Sequence, residues 1–235
     1  MLGFGVRLKR VDTPREWEEG TLGVRDAGLL GVEDLSIGRV NAASGAAARA
    51  YVVEATRAAL RREIAAVVTL PMNKEATQLG DASFTGHTEL IASECGVKGA
   101  VLMLASDRLI VTHVSTHCSL RQAIERTTRD RVLRVIRLTC DAAGRLGREP
   151  RVAVAGLNPH AGENGLFGRE EIDEIAPAVA QAQAEGLPAE GPLPPDTAFY
   201  LAVERGKFGA VVCMYHDQGH IPLKLLDFEG GVNVT

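Results

Sequence analysis

The chain has 235 residues, enough for one large domain or two small ones around a sizeable core. Hydrophobic residues make up 46% and charged residues 24%, an ordinary balance for a soluble globular protein, and the net charge of −4 gives no global electrostatic case for nucleic acid or an anionic membrane. No run approaches roughly 18 apolar residues, so no membrane span is expected, and Met1 to Arg10 holds no apolar core of the kind a signal peptide needs.

The first forty residues, rich in Gly and charge, read as a strand and loops. Ala46 to Ile64 predicts a helix starting near Ser44 or Gly45, and Ala65 to Thr69 is a short apolar run broken by Pro71. Glu89 to Cys95 predicts a helix stopped by Gly96. Ala100 to Leu104 and Leu109 to Ser115 predict strands, and Ser119 to Ala143 one long Arg-rich helix. Val152 to Ala155 reads as a strand, Glu170 to Ala184 as a helix, Asp196 to Arg205 as a helix and Gly209 to Met214 as a strand. This alternation implies an α/β fold with a mainly parallel sheet. Pro188 to Pro195 is the least regular stretch and reads as a hinge. Cys95, Cys118, Cys140 and Cys213 form no C-x-x-C pair and no disulfide framework, which fits a reducing cytoplasm.

In open α/β sheets, ligands bind beyond the carboxyl ends of strands. Three strand-like runs carry a histidine there: His117, His160 and His216. Neutral imidazole is a common metal ligand, and three such nitrogens leave positions open for a substrate. Each taken singly also reads as a surface or capping histidine. On an extended run His113 faces the same side as His117 but sits roughly 13 Å from it. We therefore leave His113 as a core or supporting group.

Gly86-His87-Thr88-Glu89 opens a helix, where free backbone N–H groups suit an anion such as phosphate, or simply cap the helix. The loop from Asn158 to Gly168 is glycine-rich, yet it matches neither G-x-G-x-x-G nor G-x-x-x-x-G-K-[ST]. Asp196 begins a helix after Pro195 and reads as an N-cap or as a group facing a cleft. Lys74, Lys224 and Asn233 are polar residues placed to serve a site or simply to face solvent.

Taken together, several segments resemble one family. Thr69-Leu70-Pro71-Met72-Asn73-Lys74, Gly86-His87-Thr88-Glu89, the run Gly156 to Glu163 (GLNPHAGE), Gly191 to Thr197 (GPLPPDT), and Tyr215 to Gly219 (YHDQG) with Val232-Asn233-Val234-Thr235 occur in this order. They resemble the 4-hydroxythreonine-4-phosphate dehydrogenase family from about Ser44 to Thr235. The resemblance implies an isocitrate/isopropylmalate-dehydrogenase-like α/β/α fold, with residues 1–235 in two interleaved lobes whose junctions lie near 70–86 and 188–196. It implies a homodimer with a shared active site, a phosphorylated small-molecule substrate, and NAD bound without a Rossmann motif. One divalent ion (Zn, Co, Mn or Mg) maps onto His117, His160 and His216, with His216 reaching in from the partner subunit. Substrate contacts map onto His87, Thr88, Lys224 and Asn233, and Asp196 and Lys74 are catalytic candidates. Two departures stand out: no GDPAGIGPE-like turn opens the chain, and the family continues past Val-Asn-Val-Thr. The chain therefore reads as truncated at both ends.

His113 to Arg121 and Gly219 to Lys224 resemble the branch acting on threonate or erythronate 4-phosphate more than the pyridoxine-biosynthesis branch. The expected reaction oxidises a secondary alcohol beside a carboxylate and then releases CO₂. Two other readings stay open: a non-catalytic, metal-binding, dimerising remnant, and a metal-dependent phosphohydrolase, for which Asp217 is the one nearby carboxylate.

Overall fold

The computed structural model describes residues 5–34 and 36–235. The chain divides between Ala100 and Val101 into two compact units. In the first, β1 (Arg7–Arg10) and β2 (Thr21–Val24) pair in parallel, Arg7 opposite Thr21 and Arg10 opposite Val24. Three helices follow: α1 (Ala42–Leu60), α2 (Lys74–Gln78) and α3 (His87–Glu94). The first begins four residues before the apolar pattern implies, because the Asn41 side chain caps it by accepting the Ser44 N–H at 3.1 Å. Arg61 is its C-cap, and Arg62 takes a left-handed φ of 59°. Val53 of α1, Phe84 and Leu90 of α3 form this unit's core. The apolar run Ala65 to Thr69 forms no strand, and Val68 is exposed.

The second unit contains, in chain order, β3 (Met103–Ala105), β4 (Ile110–His113), α4 (Leu120–Arg126), α5 (Arg129–Arg145), β5 (Val152–Ala155), α6 (Ala176–Ala184), β6 (Ala189–Leu193), α7 (Pro195–Val203), β7 (Ala210–Cys213), α8 (His216–Leu226) and β8 (Val232–Val234). The sheet order is β6-β5-β7-β4-β3-β8. β6, β5, β7 and β4 run parallel, whereas β3 is antiparallel to both β4 and β8. Every residue of β4, β5 and β7 is buried, as strands covered on both faces require. Alternate residues of β5 face opposite ways. Val152 and Val154 join Val132 and Ile136 of α5 and Val179 of α6, while Ala153 and Ala155 join Ala202 of α7 and Leu223 of α8. This unit is therefore a three-layer α/β/α sandwich.

Four sequence expectations change here. The helix expected over Ser119 to Ala143 is two helices. The Thr127 N–H and hydroxyl both turn back to the Ala123 carbonyl, and Thr128 starts α5. The stretch read as irregular holds β6, and Pro192 is tolerated there because the strand lies at the sheet edge. The helix expected from Glu170 starts as a single π turn over Glu171–Ile175. Finally, α8 forms despite Pro222 inside it, a helix no periodic pattern announced.

Candidate functional site

β5, β7 and β4 are neighbours that run the same way, so their carboxyl ends share one edge of the sheet. His117, His160 and His216 each follow one of these ends. His117 and His216 come together: their ring centroids lie 5.7 Å apart at a tilt of 44°. Both line a cavity of about 280 Å³, with Thr116, Cys118, Tyr215 and Asp217. His216 is the first residue of α8, so β7 and the helix start fix it together. Its Nδ1 lies 2.7 Å from Asp217 Oδ1, an arrangement that places the proton on Nδ1 and leaves Nε2 as a free lone pair. The resemblance assigns His216 to the partner subunit, yet within this chain it already stands beside His117.

His160 is placed differently. It is exposed, its ring contact is with Phe167 at 6.2 Å, and its Nδ1 lies 3.0 Å from Glu163 Oε2. Here too a carboxylate holds Nδ1 and leaves Nε2 outward, the orientation that metal-ligating histidines adopt. Among the described residues, no group of three His, Cys, Asp or Glu side chains is arranged to hold a metal. The chain by itself supplies a two-imidazole pair and a third imidazole apart from it.

The loop carrying His160 is held against the ordinary handedness of the chain. His160, Ala161, Gly162, Glu163 and Asn164 all have positive φ, from 44° to 82°. For each non-glycine residue that conformation costs about 1–2 kcal/mol. Such strain persists where the surroundings over-determine it. Glu171, at the start of the π turn, is one such constraint, with 2% of its surface exposed. Its carboxylate accepts the N–H groups of Leu157 and Asn158, both at 2.7 Å, and the Asn158 amide at 2.9 Å.

Behind His216 lies His113, in the core place the sequence reading gave it, paired with His220, which that reading passed over. His113 is fully buried, and that burial pushes its pKa down to about 4, so it is neutral. Its Nδ1–H donates to the Leu102 carbonyl at 3.2 Å, which leaves Nε2 to accept from His220 Nδ1 at 3.1 Å. The same His220 N–H also faces the His216 carbonyl at 3.0 Å. Burial, and then the nearby His216, lower the His220 pKa as well. The signal was present: His216 and His220 are four apart, one face of a helix. Gly219 permits the approach, since a Cβ there would stand 2.6 Å from His113 Nε2.

The remaining predicted residues lie on other elements. Asp196 sits in the first turn of α7, exposed, with Oδ1 accepting the Thr197 N–H at 2.9 Å. The N-cap of that helix is Pro194, so the capping role expected of Asp196 is corrected. Lys224 lies in the last turn of α8, its Nζ 5.7 Å from the Phe228 ring. Asn233 is exposed on β8 opposite Leu104. In the first unit, Lys74 is the exposed first residue of α2, capped by Asn73. His87 and Thr88 are the half-buried first residues of α3, and Gly86, just ahead of them, is its N-cap.

Residues 4–235 match the family of the pyridoxal phosphate biosynthetic protein PdxA. The chain belongs to the PdxA family. A D-threonate 4-phosphate dehydrogenase from Salmonella typhimurium is 45% identical over 233 residues, covering 98% of this chain and 71% of the relative. A 4-hydroxythreonine-4-phosphate dehydrogenase from Beijerinckia indica is 45% identical over 237 residues, covering 100% of this chain and 70% of the relative. The crystal structure of 4-hydroxythreonine-4-phosphate dehydrogenase from Klebsiella pneumoniae superposes with a TM-score of 0.91 at 44% identity, over 98% of this chain and 70% of that one. This PdxA-family chain has the isocitrate-dehydrogenase-like α/β fold that the resemblance implied. Among its described residues, no helix is long and apolar enough to cross a membrane.

Proposed function

We propose that the protein is an NAD-dependent dehydrogenase that oxidises, with loss of CO₂, a 4-phosphorylated four-carbon hydroxy acid such as threonate or erythronate 4-phosphate. The observation that carries this reading is the pairing of His117 with His216 at the carboxyl ends of β4 and β7. The relative from Salmonella typhimurium supports the substrate class.

Imidazole donors suit a divalent ion of the Zn or Co type better than Mn or Mg, which prefer oxygen donors. His160 and His216 each have Nδ1 held by a carboxylate, so Nε2 is the nitrogen offered. His117, His160 and His216 would hold the ion in a homodimer whose shared site takes one imidazole from the second copy, His216 by the resemblance. When bound, the metal supplies Lewis acidity toward the substrate hydroxyl and toward the negative charge left by CO₂. NAD, when bound, supplies the hydride acceptor.

The chain's own groups bind and orient. His87 and Thr88 bring helix-terminal N–H groups to a phosphate, and Lys224 brings a charge-assisted donor. Asn233 offers an amide on an exposed strand edge. Asp196 has Oδ1 occupied by Thr197, which leaves Oδ2 to receive a proton, and Lys74 Nζ is an exposed proton donor. Four free cysteines agree with a reducing, cytoplasmic setting.

A second substrate has a specific observation behind it. The Beijerinckia indica relative named for 4-hydroxythreonine 4-phosphate is equally similar at 45% identity. The test is an NADH-forming assay with threonate, erythronate and 4-hydroxythreonine 4-phosphates side by side, on the wild type and on His160→Ala. NADH formed from a four-carbon hydroxy acid and lost in His160→Ala supports the reading. Unchanged metal content and unchanged NADH production in His160→Ala sink the three-histidine site.

A further inference from the structure

The loop from Asn158 to Gly165 carries His160 through six successive residues of positive φ, His160 to Gly165, wound as a left-handed 3-10 turn. A side chain beneath it anchors its start. Glu171 is buried, and Oε1 accepts two consecutive backbone N–H groups, those of Leu157 and Asn158, each at 2.7 Å. Oε2 accepts the Asn158 side-chain amide at 2.9 Å. The carboxylate also occupies the space beside two glycines that flank His160: a Cβ on Gly156 would lie 3.1 Å from Oε1, and one on Gly162 would lie 2.6 Å from Oε2. Glu171 itself opens a π turn, whose extra residue per turn shifts the helix register at this point.

We propose that Glu171 is the positioning residue for His160, holding the left-handed loop in the one shape that turns the imidazole toward its ligand. The inference rests on the reading that His160 takes part in the metal site. Every group Glu171 receives from the loop is an N–H donor, so the carboxylate is required as a double acceptor rather than as a filler of space. Glutamine has the same shape but only one acceptor oxygen, and its NH₂ must then face a donor.

The experiment compares wild type, Glu171→Gln, Glu171→Asp and His160→Ala. Two quantities are read: amide hydrogen exchange of residues 157–168, and Zn²⁺ affinity by competition with a chromogenic chelator. Glu171→Gln is expected to speed exchange in 157–168 while leaving β5 and β7 protected, and to weaken Zn²⁺ binding about 10- to 100-fold, the usual effect of removing a group that orients a ligand. Glu171→Asp keeps both acceptor oxygens at shorter reach, and both of its readouts are expected to fall between wild type and Glu171→Gln. Unchanged exchange in Glu171→Gln overturns the proposal. So does faster exchange with unchanged Zn²⁺ affinity when His160→Ala does lower that affinity. If His160→Ala leaves Zn²⁺ binding unchanged, the metal reading fails, and exchange alone decides for or against Glu171's hold on the loop. Where Glu171→Gln does not fold, the same two measurements on Glu171→Asp decide against the same wild-type values.

Discussion

The imidazole of His220 lies flat on that of His216, with ring centroids 3.5 Å apart and planes 11° from parallel. Its Nδ1–H points at His113 Nε2, at 3.1 Å. Replacing His220 by leucine removes the donor and strands a buried acceptor, which costs about 1–3 kcal/mol. Replacing both histidines by leucine removes the need for the bond, so the double variant is expected to lose less than the sum of the two single losses. Urea denaturation of the four proteins in the cycle measures the coupling, and strictly additive losses would show that the pair does not interact.

His113 also sets a pH dependence in the metal-free protein. Burial holds its pKa near 4 in the fold, against an ordinary value of 6.5. Between those values the unfolded chain binds the proton and the folded one does not, so stability rises with pH. It is fully present above about pH 6.5 and is lost as pH falls toward 4, by about 3 kcal/mol at 1.36 kcal/mol per pH unit. His220, also lowered, adds to the loss with the same sign. Denaturation midpoints measured from pH 4 to 7 with chelator present check this. His113→Leu should flatten the slope; an unchanged slope in that variant refutes the assignment.

Gly219 is the point where α8 presses on the sheet. An added methyl would meet His113 Nε2 at 2.6 Å, Cys213 Sγ at 2.9 Å and Val111 Cγ2 at 3.2 Å. Gly219→Ala is expected to destabilise the protein by about 1–3 kcal/mol through overpacking. The denaturant midpoint should fall with the slope unchanged. A variant as stable as wild type would mean that α8 sits farther from His113.

Metal should stabilise the folded protein by mass action. At a free Zn²⁺ concentration 100 times the dissociation constant, the gain is about 2.7 kcal/mol. Thermal unfolding with Zn²⁺ and then with excess EDTA should show a shift that chelation reverses. The shift should vanish in His117→Ala and in His216→Ala. A shift that survives both substitutions would place the ion elsewhere.

The parts of this protein legible in its sequence are those where one local pattern decides. Val152 to Ala155 is a strand on both views, because a fully buried parallel strand must be a continuous apolar run. His117, His160 and His216 stand out because each closes such a run. What stayed hidden depends on tertiary context. Pro222 masks α8, and with it the four-residue step from His216 to His220. Pro192 masks β6, which tolerates it only as an edge strand. The role of Glu171 is invisible for another reason: its partners lie 13 and 14 residues back, across a loop of reversed handedness.

The separation of His160 from the pair His117 and His216 has a kinetic side. If a second copy supplies the missing imidazole, each chain alone captures the ion with two donors, weakly and reversibly. Tight capture is then second order in protein, and dilution sheds metal even at constant metal activity. The same linkage runs in reverse: every ion bound across two chains draws them together. Metal supply would then set how much of the enzyme is assembled at all.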